Sequence, residues 1–152
     1  MTTATPPAGF LHLVVGYDDS PPASRALDAA VRLLEGRTGR IEVVFVAHLS
    51  SPVMMSPGAV AEVESGFDEI AAELRAAASE QLRGRVQAWG FERREGLIAQ
   101  ELIAVAEDIG DAHAGETVVI VVGSSSHATH RVVGSAAVSL ARHSPVPLVI
   151  VP

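Results

Sequence analysis

Thr117-Val-Val-Ile-Val-Val-Gly123-Ser-Ser-Ser-His-Ala-Thr-His-Arg-Val-Val-Gly134-Ser135 is the stretch that decides the fold. Its first part is aliphatic, mostly β-branched and ended by glycine, which reads as a strand Thr117–Val122 buried on both faces. Gly123–Val133 is rich in small and polar residues and reads as a loop. Gly134 to His143 carries a helical pattern, and Val146–Val151 reads as a final strand. A loop that leaves a strand and enters a helix can turn backbone N–H groups toward an anion.

Toward the N-terminus the alternation continues. Gly110 to Gly115 is a polar turn, preceded by a helix opened by Gly96 with Ile98, Leu102, Ile103, Val105, Ala106 and Ile109 as its apolar positions. A short strand of roughly Ala88 to Arg94 comes before it; its polarity suits a sheet edge. A long helix from Ala59 presents Val60, Val63, Phe67, Ile70, Leu74, Ala77, Ala78 and Leu82 as a core-facing stripe. Leu49–Gly58 is a loop by its Pro, Ser and Gly content, and Arg40–His48 is a strand. A helix over Ala23 to Leu34 is capped by Asp19 or Ser20, takes Pro21 or Pro22 in its first turn and stops at Gly36 and Gly39. Phe10–Val15, ended by Gly16, is the first strand.

Five strands thus alternate with four helices. Parallel strands joined through helices need right-handed crossovers, and the expectation is an α/β, doubly wound three-layer sandwich on a five-stranded parallel sheet. With the strands in the order 3-2-1-4-5, the order reverses between the first and the fourth. Ligands in such sheets bind at that switch point, beyond the carboxyl ends of the strands. Gly16-Tyr17-Asp18-Asp19-Ser20 and Gly123-Ser124-Ser125-Ser126 would meet there.

Composition bounds the chemistry. The 152 residues suit one domain, read as 10–152 behind a flexible tail 1–9. The net charge is −7 and the basic residues are scattered, so no nucleic-acid partner is expected. There is no cysteine, hence no disulfide, thiolate metal site or thiol nucleophile. All eleven basic residues are arginine, which leaves no Walker-type, Schiff-base or general-base lysine. The N-terminus lacks the basic and apolar regions of a signal peptide. No apolar run approaches the about 20 residues of a membrane helix. The expectation is a cytoplasmic protein without a membrane partner.

The ordered motifs resemble the universal stress protein family over nearly the whole chain. The family's first strand leads into a Gly-x-Asp-Gly-Ser-like turn; here that is Gly16-Tyr17-Asp18-Asp19-Ser20, followed by Ser24-Arg25-Ala26-Leu27. Gly96 matches the glycine before the third helix. Val122-Gly123-Ser124, Gly134-Ser135 and Pro145-Val-Pro-Leu-Val-Ile-Val151 resemble the family's C-terminal pattern. The resemblance implies the adenine nucleotide alpha hydrolase-like form of the fold, with ATP or another adenine nucleotide as ligand. Asp18 and the backbone of Val46 and Ala47 would border adenosine. Gly123, Ser124, Gly134 and Ser135 would surround ribose and phosphates, with Ser126, Thr129, His130 and Arg131 as local replacements. It also implies a homodimer through the last strand, Pro147–Val151. The alternative for that strand is that Pro145, Pro147 and Pro152 alone blunt the edge.

The nucleotide-binding pattern of the family is Gly-x2-Gly-x9-Gly-Ser/Thr. Gly123 and Gly134-Ser135 match its ends, but Ser126 stands at the middle glycine, and ten residues separate Gly123 from Gly134 where the pattern has twelve. A side chain there restricts positive φ and holds the backbone away from a phosphate. We therefore expect a regulatory or binding module of the universal-stress type, with nucleotide binding absent or weakened, no robust catalysis and an unknown protein client. The alternative is an ATP-binding member using the Gly123–Ser135 loop, with slow hydrolysis. Other chemistries fit less well. His127 and His130 lack a neighbouring carboxylate in sequence, so no metal is expected. Gly123-Ser-Ser-Ser-His127 departs from the Gly-x-Ser-x-Gly elbow of hydrolases at its last position. Asp18-Asp19 lacks the third-strand Asp and the Lys of a phosphoacceptor receiver.

Overall fold

The computed structural model describes residues 9–48, 55–124 and 134–152. Nine elements follow in order: β1 (Leu11–Gly16), α1 (Pro21–Leu34), β2 (Gly39–Ala47), α2 (Pro57–Leu82), β3 (Trp89–Glu95), α3 (Ile98–Ala112), β4 (Thr117–Gly123), α4 (Ser135–His143) and β5 (Leu148–Val151). The sheet is parallel throughout and its strand order is β3-β2-β1-β4-β5, the order expected from the sequence. Of the tail read over residues 1–9, all but Gly9 lies outside the described residues.

Both faces of the sheet are covered, which is why its central strands are apolar at successive positions. Leu11, Leu13 and Val15 of β1 face one core with Ile41, Val43 and Phe45, closed by α1 and the second half of α2. Val14, Val44, Val118, Ile120 and Val122 face a second core, closed by α3 and α4. The period of two along each strand divides one apolar run between two layers.

Local signals set the ends of the elements. The Ser20 and Ser56 hydroxyls accept from the N–H of Ala23 and Ala59, each at 3.3 Å, and Pro21 and Pro57 take the first helical positions. The long helix therefore starts at Pro57, two residues before the expected Ala59, on the same Ser-Pro signal that starts α1. Helix α3 begins at Ile98, because Gly96 has φ +139 and cannot be helical. Gly134 is the N-cap of α4, not its first residue. Strand β5 begins at Leu148, later than the expected Val146: Val146 N–H is turned onto the Ser144 hydroxyl, and Pro147 has no N–H.

The expected stripe of α2 needs a correction. Ala71, Leu74, Ala78 and Leu82 are its buried residues, whereas Ile70 is 43% exposed. The core-facing row runs through Phe67, Ala71, Leu74, Ala78 and Leu82 at three- and four-residue spacing, and Ile70, one residue before Ala71, lies outside that face.

Candidate functional site

The site is built where β1 and β4 lie side by side and the connections leaving them part. Five residues of each strand are in register, from Leu11 opposite Thr117 to Val15 opposite Val121. Helix α1 then leaves to one face and α4 to the other. The crevice between them is a cavity of about 380 Å³, within the size range of small-molecule sites.

Its first wall is the turn after β1. Tyr17 N–H donates to Val44 C=O at 2.9 Å, which extends the strand pairing by one residue. The Asp18 carboxylate accepts the N–H of Ser20 at 3.0 Å, an Asx-type turn. Asp19 has φ +60, the only non-glycine with positive φ among the described residues. The Tyr17 hydroxyl donates to Asp19 Oδ1 at 3.0 Å. Burial, then the hydrogen bond to Asp19 and the charges of Asp19 and Asp18, push the phenol well above its ordinary range. Tyr17 is therefore a neutral donor at physiological pH.

Opposite stand Gly123, Ser124 and the start of α4. Gly123 must be glycine for packing alone: a Cβ there would lie 2.5 Å from the backbone carbon of Pro22. Ser124 N–H donates to Val151 C=O at 2.8 Å, and Gly134 N–H donates to Ser124 C=O. The two ends of the loop are thus tied directly to each other.

The two helix N-termini at the cavity differ as anion sites. In α1 the first two residues are prolines without N–H, and the N–H groups of Ala23 and Ser24 are taken by the side chain and the carbonyl of Ser20. In α4 the N-cap is Gly134, and no side chain among the described residues caps the N-terminus. The first intrahelical bond is that of Val138 N–H to Gly134 C=O, so the N–H groups of Ser135, Ala136 and Ala137 precede the ladder. All three residues line the cavity. The N-terminal dipole of α4 adds a partial positive charge there. Val44, Val46, Val122 and Ile98 supply an apolar wall.

Of the residues singled out in the sequence, Asp18, Val46, Gly123, Ser124, Gly134 and Ser135 line this one cavity. Ala47 is not in its lining; it is buried, and its carbonyl accepts the N–H of Gly96 at 3.0 Å. Ser126, Thr129, His130 and Arg131, and with them His127, lie outside the described residues. Sequence reasoning placed Tyr17 in the cluster at this switch point without giving it a role of its own, and missed Ile98, Ala136 and Ala137 as wall residues. The exposed apolar Leu97-Ile98 pair, 52% and 44% exposed at the start of α3, has no distinguishing pattern in the sequence.

The universal stress protein family model matches residues 9–152. No curated protein sequence matches the chain significantly. Among solved structures, the universal stress protein UspA from Lactobacillus plantarum is similar with a TM-score of 0.74 at 20% identity, over 95% of this chain and 99% of that one. A universal stress protein in complex with cAMP is similar with a TM-score of 0.64 at 19% identity, over 95% and 99% of the two chains. A universal stress protein family protein from Arabidopsis thaliana with AMP bound has a TM-score of 0.59 at 11% identity, over 93% and 90%. At these identities the structures share the fold, and the family model matches nearly the full length: the chain belongs to the universal stress protein family.

Proposed function

We propose that this chain is a cytoplasmic stress-response binding module that takes an adenine nucleotide weakly at the β1/β4 switch point and does not turn it over efficiently. The observation that carries this reading is the opposition, across one cavity, of the Asp18 carboxylate and the uncapped N-terminus of α4. A phosphate is repelled by Asp18 and attracted by α4. A neutral base or ribose offers N–H and O–H donors to Asp18 and apolar faces to Val44, Val46 and Ile98. The two ends of the cavity thus suit the two ends of a nucleotide. The cAMP- and AMP-bound relatives support an adenine ligand.

Weak binding follows from the loop. The Gly134 N–H is already used by Ser124, which leaves the first turn of α4 as the anion donor among the described residues. One docked phosphate is what such a turn serves. No described residue at the cavity is placed as a general base against a phosphate, which favours binding over hydrolysis.

Calorimetric titration with AMP, cyclic AMP and ATP is the test. Binding in the micromolar to millimolar range is expected, with loss in Gly134→Val and weakening in Asp18→Ala. Absence of heat with all three at millimolar concentration sinks this reading and leaves a ligand-free interaction module.

A further inference from the structure

A second group of side chains with its own chemistry lies at the opposite end of β1. His12 is 3% exposed and is the only buried polar or charged residue among those described. Its ring packs against Phe10 and against His113, each at 4.8 Å between centroids. Its Nε2 meets Oε2 of Glu116, and Nδ1 of His113 is 3.5 Å from the same oxygen. The three ligand-type atoms lie within 4.8 Å of one another.

The main chain holds this arrangement. His113 ends α3, with its N–H on Ile109 C=O at 2.9 Å, and its own carbonyl accepts Glu116 N–H at 3.1 Å. Gly115, at φ +89, allows that tight turn. Thr117 N–H donates to Phe10 C=O at 3.0 Å and fastens the turn to β1. Two ligands therefore come from one closed turn and the third from the central strand beside it.

Burying a histidine requires one hydrogen-bond partner, and Glu116 suffices. It does not require a second imidazole directed at the same carboxylate oxygen. Two imidazoles and one carboxylate are the ligand set of an open zinc site. Metal bonds of about 2.1 Å at tetrahedral angles put neighbouring ligand atoms about 3.4 Å apart. The 3.5 Å between His113 and Glu116 already matches that edge. The His12–Glu116 contact must lengthen; the Glu116 side chain is 33% exposed and can swing outward. A cavity of about 250 Å³ has His12 and His113 in its wall, beside the ion-paired Arg40, Glu42, Glu92, Arg94 and Asp108.

We propose that His12, His113 and Glu116 bind a divalent transition cation of the Zn²⁺ type and thereby clamp β1 to the α3–β4 turn. The proposal is independent of the nucleotide site. Hard cations such as Mg²⁺ prefer all-oxygen ligands and are not expected there.

The test uses the untagged full chain, titrated calorimetrically with ZnCl₂ and melted with Zn²⁺ or Mg²⁺. One Zn²⁺ per chain and a higher melting temperature with Zn²⁺ alone are expected. The His113→Ala and Glu116→Gln variants, altered on a solvent-facing turn and checked for folding by circular dichroism, should each bind at least about tenfold more weakly. Cobalt substitution should give tetrahedral visible bands in the wild type that both variants lose. No heat and no melting shift at millimolar Zn²⁺ overturns the site. Unchanged binding in both variants overturns it equally, because the cation is then held elsewhere.

Discussion

At the residue scale, Tyr17 and Asp19 hold the turn that faces the cavity. Asp19 occupies a left-handed conformation at the position where the resembling motif has glycine, and aspartate is one of the few residues that tolerate it. Its carboxylate is then in place to accept from Tyr17. The raised phenol pKa has a stability consequence. The unfolded phenol titrates near pH 10 and the folded one higher. The contribution is therefore fully present below about pH 10 and is lost as pH rises toward the folded value. Tyr17 is the sole tyrosine of the chain, so tyrosinate absorbance reports this group alone. We expect no tyrosinate signal at pH 10 in the folded protein, and a stability decline above pH 10 that Tyr17→Phe reduces. Half-ionisation near pH 10 before any unfolding would contradict this.

At the scale of elements, Gly123 couples β4 to α1. Its missing Cβ is the space that the backbone of Pro22 fills. Gly123→Ala forces strand end and helix start apart, an overpacking cost of about 1–3 kcal/mol. Urea unfolding should show this as a lowered midpoint with or without nucleotide; an unchanged midpoint removes the packing role. The consequence for the site is direct: loss of binding on substituting Gly123 cannot by itself be assigned to lost phosphate contacts. At Gly134 the backbone itself sets no such demand, since φ −60 and ψ 157 are open to any residue. Two helices start at the same cavity: the Ser-Pro-Pro sequence of one uses up its first donors, whereas the Gly-Ser-Ala of the other supplies no capping side chain among the described residues.

At the scale of the molecule, the sheet has two edges of different character. On β3, Arg93 pairs with Asp68 of α2 and Arg94 with Asp108 of α3, so charge and flanking helices protect it. On β5, four aliphatic residues are half-buried. The Pro147 and Val151 carbonyls accept from Ile120 of β4 and from Ser124 just beyond it, so the backbone groups of Leu148 and Ile150 face away from the sheet. We propose that a second copy pairs there. Sedimentation velocity should give a dimer that Ile150→Pro dissociates without unfolding; a monomer mass at every concentration defeats the idea. Among the described residues no helix is long and apolar enough to cross a membrane.

The sequence by itself determined the order of elements, the parallel sheet and the two clusters that meet at its switch point. Those properties rest on local periodicity and on crossover geometry, which short stretches such as Thr117–Val122 and Ser20-Pro21 carry within themselves. Most of the candidate site was legible for the same reason: Asp18, Val46, Gly123 and Ser124 stand at or just past the ends of adjacent strands, and Gly134 and Ser135 open the helix that follows β4. What only the tertiary structure decided depends on contacts between distant segments. Gly123 reads as a loop glycine until Pro22 is found against it. Ile70 reads as core until the adjacent Ala71 is found on the face that meets the sheet. His12 reads as one position of an apolar strand, and no spacing rule joins it to His113 and Glu116, about a hundred residues away. The β1–β4 register brings them together, and a register is a property of two segments, not of either one.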